Sequence, residues 1–99
     1  MTDRCAAAHP DDPTPCNGPH DAVRIIDPQG SKTTGCEHHG ARLLASLDDG
    51  ARAVEGSAPA AGARVTLAAD TIRPYCWYES APRTEPSQLS RAENRAAGH

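Results

Sequence analysis

Two short β-strands are indicated by the pattern of apolar residues between positions 22 and 34. Residues 22–27 are rich in β-branched side chains, which pack well on a pleated sheet, and the turn-forming residues 28–30 follow them. Residues 32–34 have the composition of a short returning strand. We therefore expect a β-hairpin that leads directly into Gly35 and Cys36.

From residue 37 the spacing of apolar residues changes to that of a helix. Leu43, Leu44 and Leu47 lie at positions i, i+1 and i+4 of one face, and the polar turn residues 48–50 end the segment. This pattern predicts a helix over residues 37–47. After the turn, Ala53 and Val54 favour only a short strand.

Residues 57–73 fit two different patterns. As a helix, with Ser57 near the N-cap and Pro59 in the first turn, the segment groups five apolar residues on one face: Ala61, Val65, Ala68, Ala69 and Ile72. As a strand, positions 63, 65 and 67 would share a face instead. We favour the helix because the segment is long, rich in alanine and followed by Pro74.

The two ends of the chain lack such periodicity. Residues 1–21 contain four of the nine prolines, and we expect them to form a loop. Residues 75–78 hold all three aromatic side chains and are expected to join the core in an extended conformation. Residues 90–93 resemble a capping box that opens a short helix. We expect one domain over residues 1–78 and a mobile or partly helical tail over residues 79–99.

The core that these elements can build is small. The chain has 99 residues and is 37% hydrophobic, but much of this fraction is alanine and there is no Phe. A domain with so few large apolar side chains usually needs a cross-link in order to fold. Four Cys and five His residues offer the material for one.

The cysteines are expected to be reduced. The first residues lack the apolar stretch of a secretory signal, and the sequence has no run of 18 apolar residues. We therefore expect a cytoplasmic protein with no membrane segment, whose clustered Cys and His residues bind a metal rather than form disulfides. The net charge of −3 and the pI near 5.9 provide no overall attraction to nucleic acid or to anionic membranes.

Cys36 and His39 form the most informative pair of candidate ligands. Side chains at i and i+3 in the first turn of a helix project to the same side, so that both can reach one ion. The free backbone N–H groups at the start of a helix also favour a thiolate at Cys36. His38 is the alternative histidine ligand of this pair.

The other ligands are sought in the N-terminal loop, which holds Cys5, His9, Cys16 and His20. Cys16 lies on a turn-forming segment shortly before the first strand, and the 19 residues between it and Cys36 are close to the spacing of zinc sites. For the fourth ligand the candidates are Cys5 and, as the alternative, His9.

The predicted centre is a closed tetrahedral Zn²⁺ site with a structural role, held by Cys5, Cys16, Cys36 and His39. Three thiolates and one imidazole leave no open position for water or substrate. Cys76 lies among the aromatic residues 75–78 and is expected to belong to the core instead.

Residues 35–44 carry a resemblance to a known group of proteins. They match the pattern Gly-Cys-x-His-His-(Gly/Ala)-Ala-Arg-Leu-Leu of small actinobacterial Cys/His zinc-binding proteins of unassigned role. More broadly, residues 16–47 resemble the treble-clef and zinc-ribbon class, in which a zinc knuckle, a β-hairpin and a helix carry the ligands. The resemblance implies a small α+β domain stabilised by zinc. The spacing between Cys5 and Cys16 is longer than in the usual knuckle.

No catalytic arrangement is recognised in the sequence. The motifs of metalloproteases, zinc deaminases and P-loop proteins are absent, and the acidic pairs at 11–12 and 48–49 are expected to be loop or helix-end charges. We therefore expect a non-catalytic interaction module whose partner is a protein. The alternatives are a zinc-dependent nucleic-acid-binding regulator and a thiol-based redox sensor that releases zinc on oxidation.

Overall fold

The computed structural model of the chain describes residues 4–47, 50–74 and 89–98. These ranges contain β1 (Val23–Ile26), β2 (Lys32–Gly35), α1 (Glu37–Ser46), β3 (Arg52–Glu55), α2 (Ala61–Thr71) and α3 (Arg91–Ala97). The expected small α+β fold is thereby confirmed at the level of its class. Within the described ranges, no helix has both the length and the apolar character needed to cross a membrane.

The three strands form one antiparallel sheet in the order β2-β1-β3. The predicted hairpin is present, and its turn is held by the Asp27 carboxylate, which accepts hydrogen bonds from the backbone N–H groups of Gln29 and Ser31, each at 2.9 Å. β3 pairs with the other edge of β1. The short strand expected at residues 53–54 therefore completes the sheet, with one residue more at each end.

Helix α1 follows the hairpin without a linker, as its sequence predicts. Its N-cap is Cys36, whose sulfur accepts a hydrogen bond from the backbone N–H of His39. Leu44 is buried, whereas Leu43 and Leu47 are half-buried at the margin of the core. Gly40 allows α1 to lie close to the sheet, because a Cβ atom at this position would be 2.5 Å from Val23 Cγ1.

The structure forms a helix, not a strand, between residues 57 and 73, but the expected N-cap at Ser57 is wrong. Ser57 instead donates a hydrogen bond to the Asp21 carboxylate at 2.7 Å. The helix begins four residues later, after Ala60, which has a left-handed backbone with φ of 61° and provides no side-chain cap. The Ser57 hydroxyl therefore makes a tertiary hydrogen bond instead of capping the helix as the local pattern predicts.

The core lies between the sheet and the two longer helices. Its buried cluster consists of Val23, Ile25, Ala41, Leu44, Ala61, Val65 and Ala69. Of the five residues expected on the apolar face of α2, three are in this cluster, whereas Ala68 is exposed and Ile72 is half-buried. Three of the seven cluster members are alanine, so the core formed by the described residues contains little apolar mass.

Helix α3 packs against α2 through charged side chains. Its N-terminus has the complete capping box expected from the sequence, with Ser90 and Glu93 each accepting from the backbone of the other. Arg73 pairs with Glu93 at 2.6 Å, and this hydrogen-bonded arginine is the main reason that the pKa of Glu93 falls to about 2. Arg95 pairs in the same way with Asp70 at 2.6 Å. The expected aromatic contribution of residues 75–78 and the expected domain boundary after residue 78 lie outside the described residues.

Truncation of Val65 tests the importance of this small core. Val65 is fully buried on α2, and we expect Val65→Ala to lower the free energy of unfolding by about 2 kcal/mol, because few neighbours can fill the cavity. Leu67→Ala on the same helix is the matched control, since Leu67 is 75% exposed and its loss should change stability by less than about 0.5 kcal/mol. Urea unfolding of both variants with Zn²⁺ present measures the difference. Equal effects would contradict the assigned core.

Candidate metal centre

Three thiols and one imidazole converge at one end of the hairpin. Among the described residues, Cys5, Cys16, Cys36 and His39 each direct one ligand atom into a group whose members all lie within 4.8 Å of one another. Cys5, Cys36 and His39 are buried and Cys16 is half-buried. The structure thus brings together the four residues that the sequence analysis selected.

Helix α1 positions two of the four ligand atoms. Cys36 caps the helix and His39 lies one turn later, which places the Cys36 sulfur 3.3 Å from His39 Nδ1. The backbone N–H of His39 also donates to this sulfur at 3.3 Å. Such a donor stabilises the ionised form of a thiol, as the positive end of the helix does.

The other two ligand atoms come from the N-terminal loop, which we call the arm (residues 4–16). The backbone N–H of Cys5 donates to the Cys16 sulfur at 3.3 Å, so the two ends of the arm meet at the cluster. The Arg4 guanidinium holds the loop between them, donating to the carbonyl oxygens of His9 at 3.2 Å and Thr14 at 3.0 Å, and also to that of Asp12. These bonds give a definite shape to a segment that has no strand or helix.

The spacing of the four atoms fits a tetrahedral metal ion. With bonds of about 2.3 Å to sulfur and about 2.0 Å to nitrogen, a tetrahedral zinc site needs S···S separations of about 3.8 Å and S···N separations of about 3.5 Å. The Cys5 and Cys36 sulfurs are 3.9 Å apart, and His39 Nδ1 is 3.5 Å from Cys5, 3.5 Å from Cys16 and 3.3 Å from Cys36. A disulfide would instead require sulfurs about 2.05 Å apart.

The second nitrogen of His39 indicates which tautomer faces the sulfurs. Nε2 lies 3.0 Å from the Thr14 carbonyl oxygen, which can only accept a hydrogen bond. This contact, the shortest that Nε2 makes, favours the tautomer in which Nε2 carries the proton and the lone pair of Nδ1 is directed at the three sulfurs. Metal-binding histidines are commonly oriented by a carbonyl in this way.

Asp12 is a functional residue of the arm that sequence analysis missed. It is only 1% exposed, and its carboxylate accepts from the Thr14 backbone N–H at 2.9 Å and from the Thr14 hydroxyl. It also lies 3.5 Å from the Arg42 guanidinium. Of the acidic pair at residues 11–12, Asp11 is therefore an exposed charge, whereas Asp12 is buried and holds the loop through its hydrogen bonds. An Asp two residues before a Thr is the pattern of an Asx turn, and that pattern is present in the sequence.

Burial shifts the pKa values of two cluster residues in opposite directions. The shift of Cys5 opposes metal binding, whereas the shift of His39 favours it. Burial raises the pKa of the Cys5 thiol to about 11, so a cation must displace a proton in order to bind this sulfur. Burial also lowers the pKa of His39, which favours the neutral imidazole that metals require. A cation would supply the positive charge that makes the Cys5 thiolate favourable.

The alternative ligands lie outside the cluster. His38 is half-buried, and its Nε2 lies 3.0 Å from the Thr14 hydroxyl. In the arm, His9 Nδ1 accepts from the backbone N–H of Asp11 at 3.0 Å, and His20 is exposed. Cys76 lies outside the described residues. Among the candidates that are described, the structure favours Cys5 over His9 and His39 over His38.

Gly35 is needed because two segments meet at this position. It lies at the end of β2, and a Cβ atom on it would be 2.5 Å from Ala7 Cβ and 3.6 Å from the Cys5 sulfur. The glycine before Cys36 therefore allows the arm to approach the hairpin closely.

The chain was compared with protein-family models, with curated proteins and with solved structures, and none of them matches it.

Replacement of each of the two adjacent histidines distinguishes their roles. We expect His39→Gln to weaken Zn²⁺ binding by at least about 100-fold, since even residues that only support a ligand contribute 10–100-fold. His38→Gln is the matched control and should stay within a few-fold of the unmodified protein, because His38 bonds to Thr14 of the arm and directs no ligand atom into the cluster. Competition with a chromophoric chelator measures both affinities. A larger loss in His38→Gln would show that the neighbouring ring is the ligand.

Proposed function

We propose that the cluster binds one Zn²⁺ ion and that the ion has a structural role. The support is that four of the six separations among the ligand atoms match the tetrahedral edges of a zinc site, and that all four atoms lie within 4.8 Å of one another. Thiolate and imidazole donors suit zinc, whereas magnesium and calcium prefer oxygen donors. Four protein ligands complete the tetrahedron, so the ion offers no site for water activation.

The arrangement of ligands supports a relationship to the treble-clef and zinc-ribbon class. Two ligands precede a β-hairpin, and the hairpin runs into a helix whose first turn supplies the other two. The long arm between Cys5 and Cys16 takes the place of a short knuckle, and the Arg4 hydrogen bonds give it a fixed shape. The third strand and the second and third helices are additions to this unit.

A structural ion would compensate for a small core that does not hold the arm. The arm has no regular secondary structure, and the buried apolar cluster contains no arm residue. Coordination would join the arm to α1 with a free energy of about 10–16 kcal/mol, the range of small zinc domains, which exceeds what a few alanine contacts provide. Metal binding and folding of the arm are then one process.

The function that follows is that of a non-catalytic interaction module with a protein partner. The closed set of four ligands supports a role in which the ion shapes a surface instead of acting on a substrate. The acidic net charge of −3 favours a protein over a nucleic acid as the partner.

Metal analysis of the purified chain tests the proposal. We expect one zinc per chain, and we expect a strong chelator to remove it with a large loss of ordered structure in circular dichroism. Cys36→Ser should lower the zinc content and the melting temperature together, because the serine hydroxyl can still cap α1 but is a poor ligand for zinc.

A second replacement tests a ligand that lies in the arm. Cys16→Ser removes a ligand that caps no helix, and it should reduce zinc binding while α1 keeps its cap. Protein that contains no metal, and whose circular dichroism a chelator does not change, would contradict the proposed function.

A further inference from the structure

The sheet presents one face to the helices and the other to solvent. Val23, Ile25 and Ala53 pack toward the core, so their neighbours along each strand lie on the opposite side. We call this opposite side the outer face. It consists of six residues in two cross-strand rows: Lys32, Ile26 and Arg52 in one row, and Thr34, Arg24 and Val54 in the other.

The three cations of the outer face have no bonding partner among the described residues. No hydrogen bond or ion pair within residues 4–47, 50–74 and 89–98 involves the side chain of Arg24, Lys32 or Arg52, and none of the six outer-face residues is acidic. Every other described Lys or Arg side chain does have a partner: Arg4, Arg42, Arg64, Arg73, Arg91 and Arg95. All the unpaired positive charge of the described structure is therefore gathered on one surface.

The cations surround an aliphatic centre. In the first row, Lys32 and Arg52 stand on either side of Ile26, about 10 Å apart across two strand spacings. Arg24 lies on the central strand in the second row, about 7 Å along it from Ile26 and next to Val54. Ile26 and Val54 are half-buried, and the four other residues of the outer face are exposed. An apolar centre with a charged rim is the usual composition of a protein interface.

We infer that the outer face binds an acidic segment of a partner protein, with carboxylates against Arg24, Lys32 and Arg52 and an aliphatic side chain against Ile26 and Val54. This inference rests on the proposed role as an interaction module and adds the surface and the chemistry of the partner. Opposite charges of this kind select the partner and speed its association. A single-stranded nucleic acid is less suited, since none of the six residues is aromatic and bases have nothing on which to stack.

Titration of the zinc-loaded, ¹⁵N-labelled full chain with a short peptide rich in Glu and containing two Leu residues tests this assignment. We expect the amide shifts that change most to be those of the outer-face residues, and we expect binding to weaken as salt is raised. The triple variant Arg24→Gln, Lys32→Gln and Arg52→Gln should bind the peptide about tenfold more weakly, because it removes all three charges that face the peptide's carboxylates.

The controls match charge and composition. Arg64→Gln, Arg73→Gln and Arg95→Gln together remove the same charge elsewhere on the surface and should change the affinity by less than about threefold. A peptide in which Lys replaces every Glu should not bind. Equal losses in the two triple variants, shift changes away from the outer face, or no binding at low salt would each overturn the inference.

Two further measurements separate this inference from the metal and from nucleic acid. Zinc content is determined for every variant, because a chain that lacks zinc yet binds the peptide through the outer face would contradict the proposed zinc role alone. Oligothymidylate serves as the competing polyanion. If it binds the outer face more tightly than the peptide does, and the logarithm of its binding constant falls against the logarithm of the salt concentration with a slope of about −0.7 per phosphate contact, the partner is a nucleic acid. The inference is then wrong.

Discussion

Electrostatics at the cluster governs how the rest of the chain is arranged. Three sulfurs and an imidazole nitrogen lie within 4.8 Å of one another, in a largely buried position. As thiolates the sulfurs would repel one another, and as thiols they are weak hydrogen-bonding groups that gain little from such proximity. A shared cation makes the arrangement favourable, and on the proposed function it connects an arm without secondary structure to a helix. Gly35, Arg4 and Asp12 then have a common purpose, since each allows or holds the approach of the arm to that helix.

The elements that sequence analysis located best are those whose signals are local. The β-branched residues of β1, the turn after it and the leucines of α1 act over a few positions, and the structure has these elements within one residue or so of the expected bounds. The start of α2 was misplaced because Ser57 bonds to Asp21, a residue 36 positions earlier. No local pattern reveals such a partner. The pairing of β3 with β1 was equally beyond reach, because strand order depends on the packing of the whole sheet.

The candidate site divides in the same way. Cys36 and His39 could be paired from their spacing, since a helix brings positions i and i+3 together. The sequence ranks Cys5 ahead of His9, and only the path of the arm, which the Arg4 guanidinium holds through three carbonyl groups, shows that His9 stays outside the cluster. Nor could the sequence show that Nε2 of His39 would meet the Thr14 carbonyl and leave Nδ1 facing the sulfurs. The path of the arm and the orientation of His39 both depend on bonds to backbone carbonyl oxygens. Every residue has such an oxygen, so the sequence does not show which of them are used.

The division of the cluster between the arm and α1 has a consequence for the order of events during synthesis. Cys5 and Cys16 precede β1 along the chain, whereas Cys36 and His39 follow β2. At about 5–20 residues per second, the ribosome needs on the order of a few seconds to proceed from residue 16 to residue 39. During that interval the nascent chain contains the thiols of Cys5 and Cys16 but not yet the other two residues of the cluster. If the cluster binds zinc as proposed, translation sets the earliest moment at which all four ligands are present, and the imidazole of His39 is the last of them to emerge.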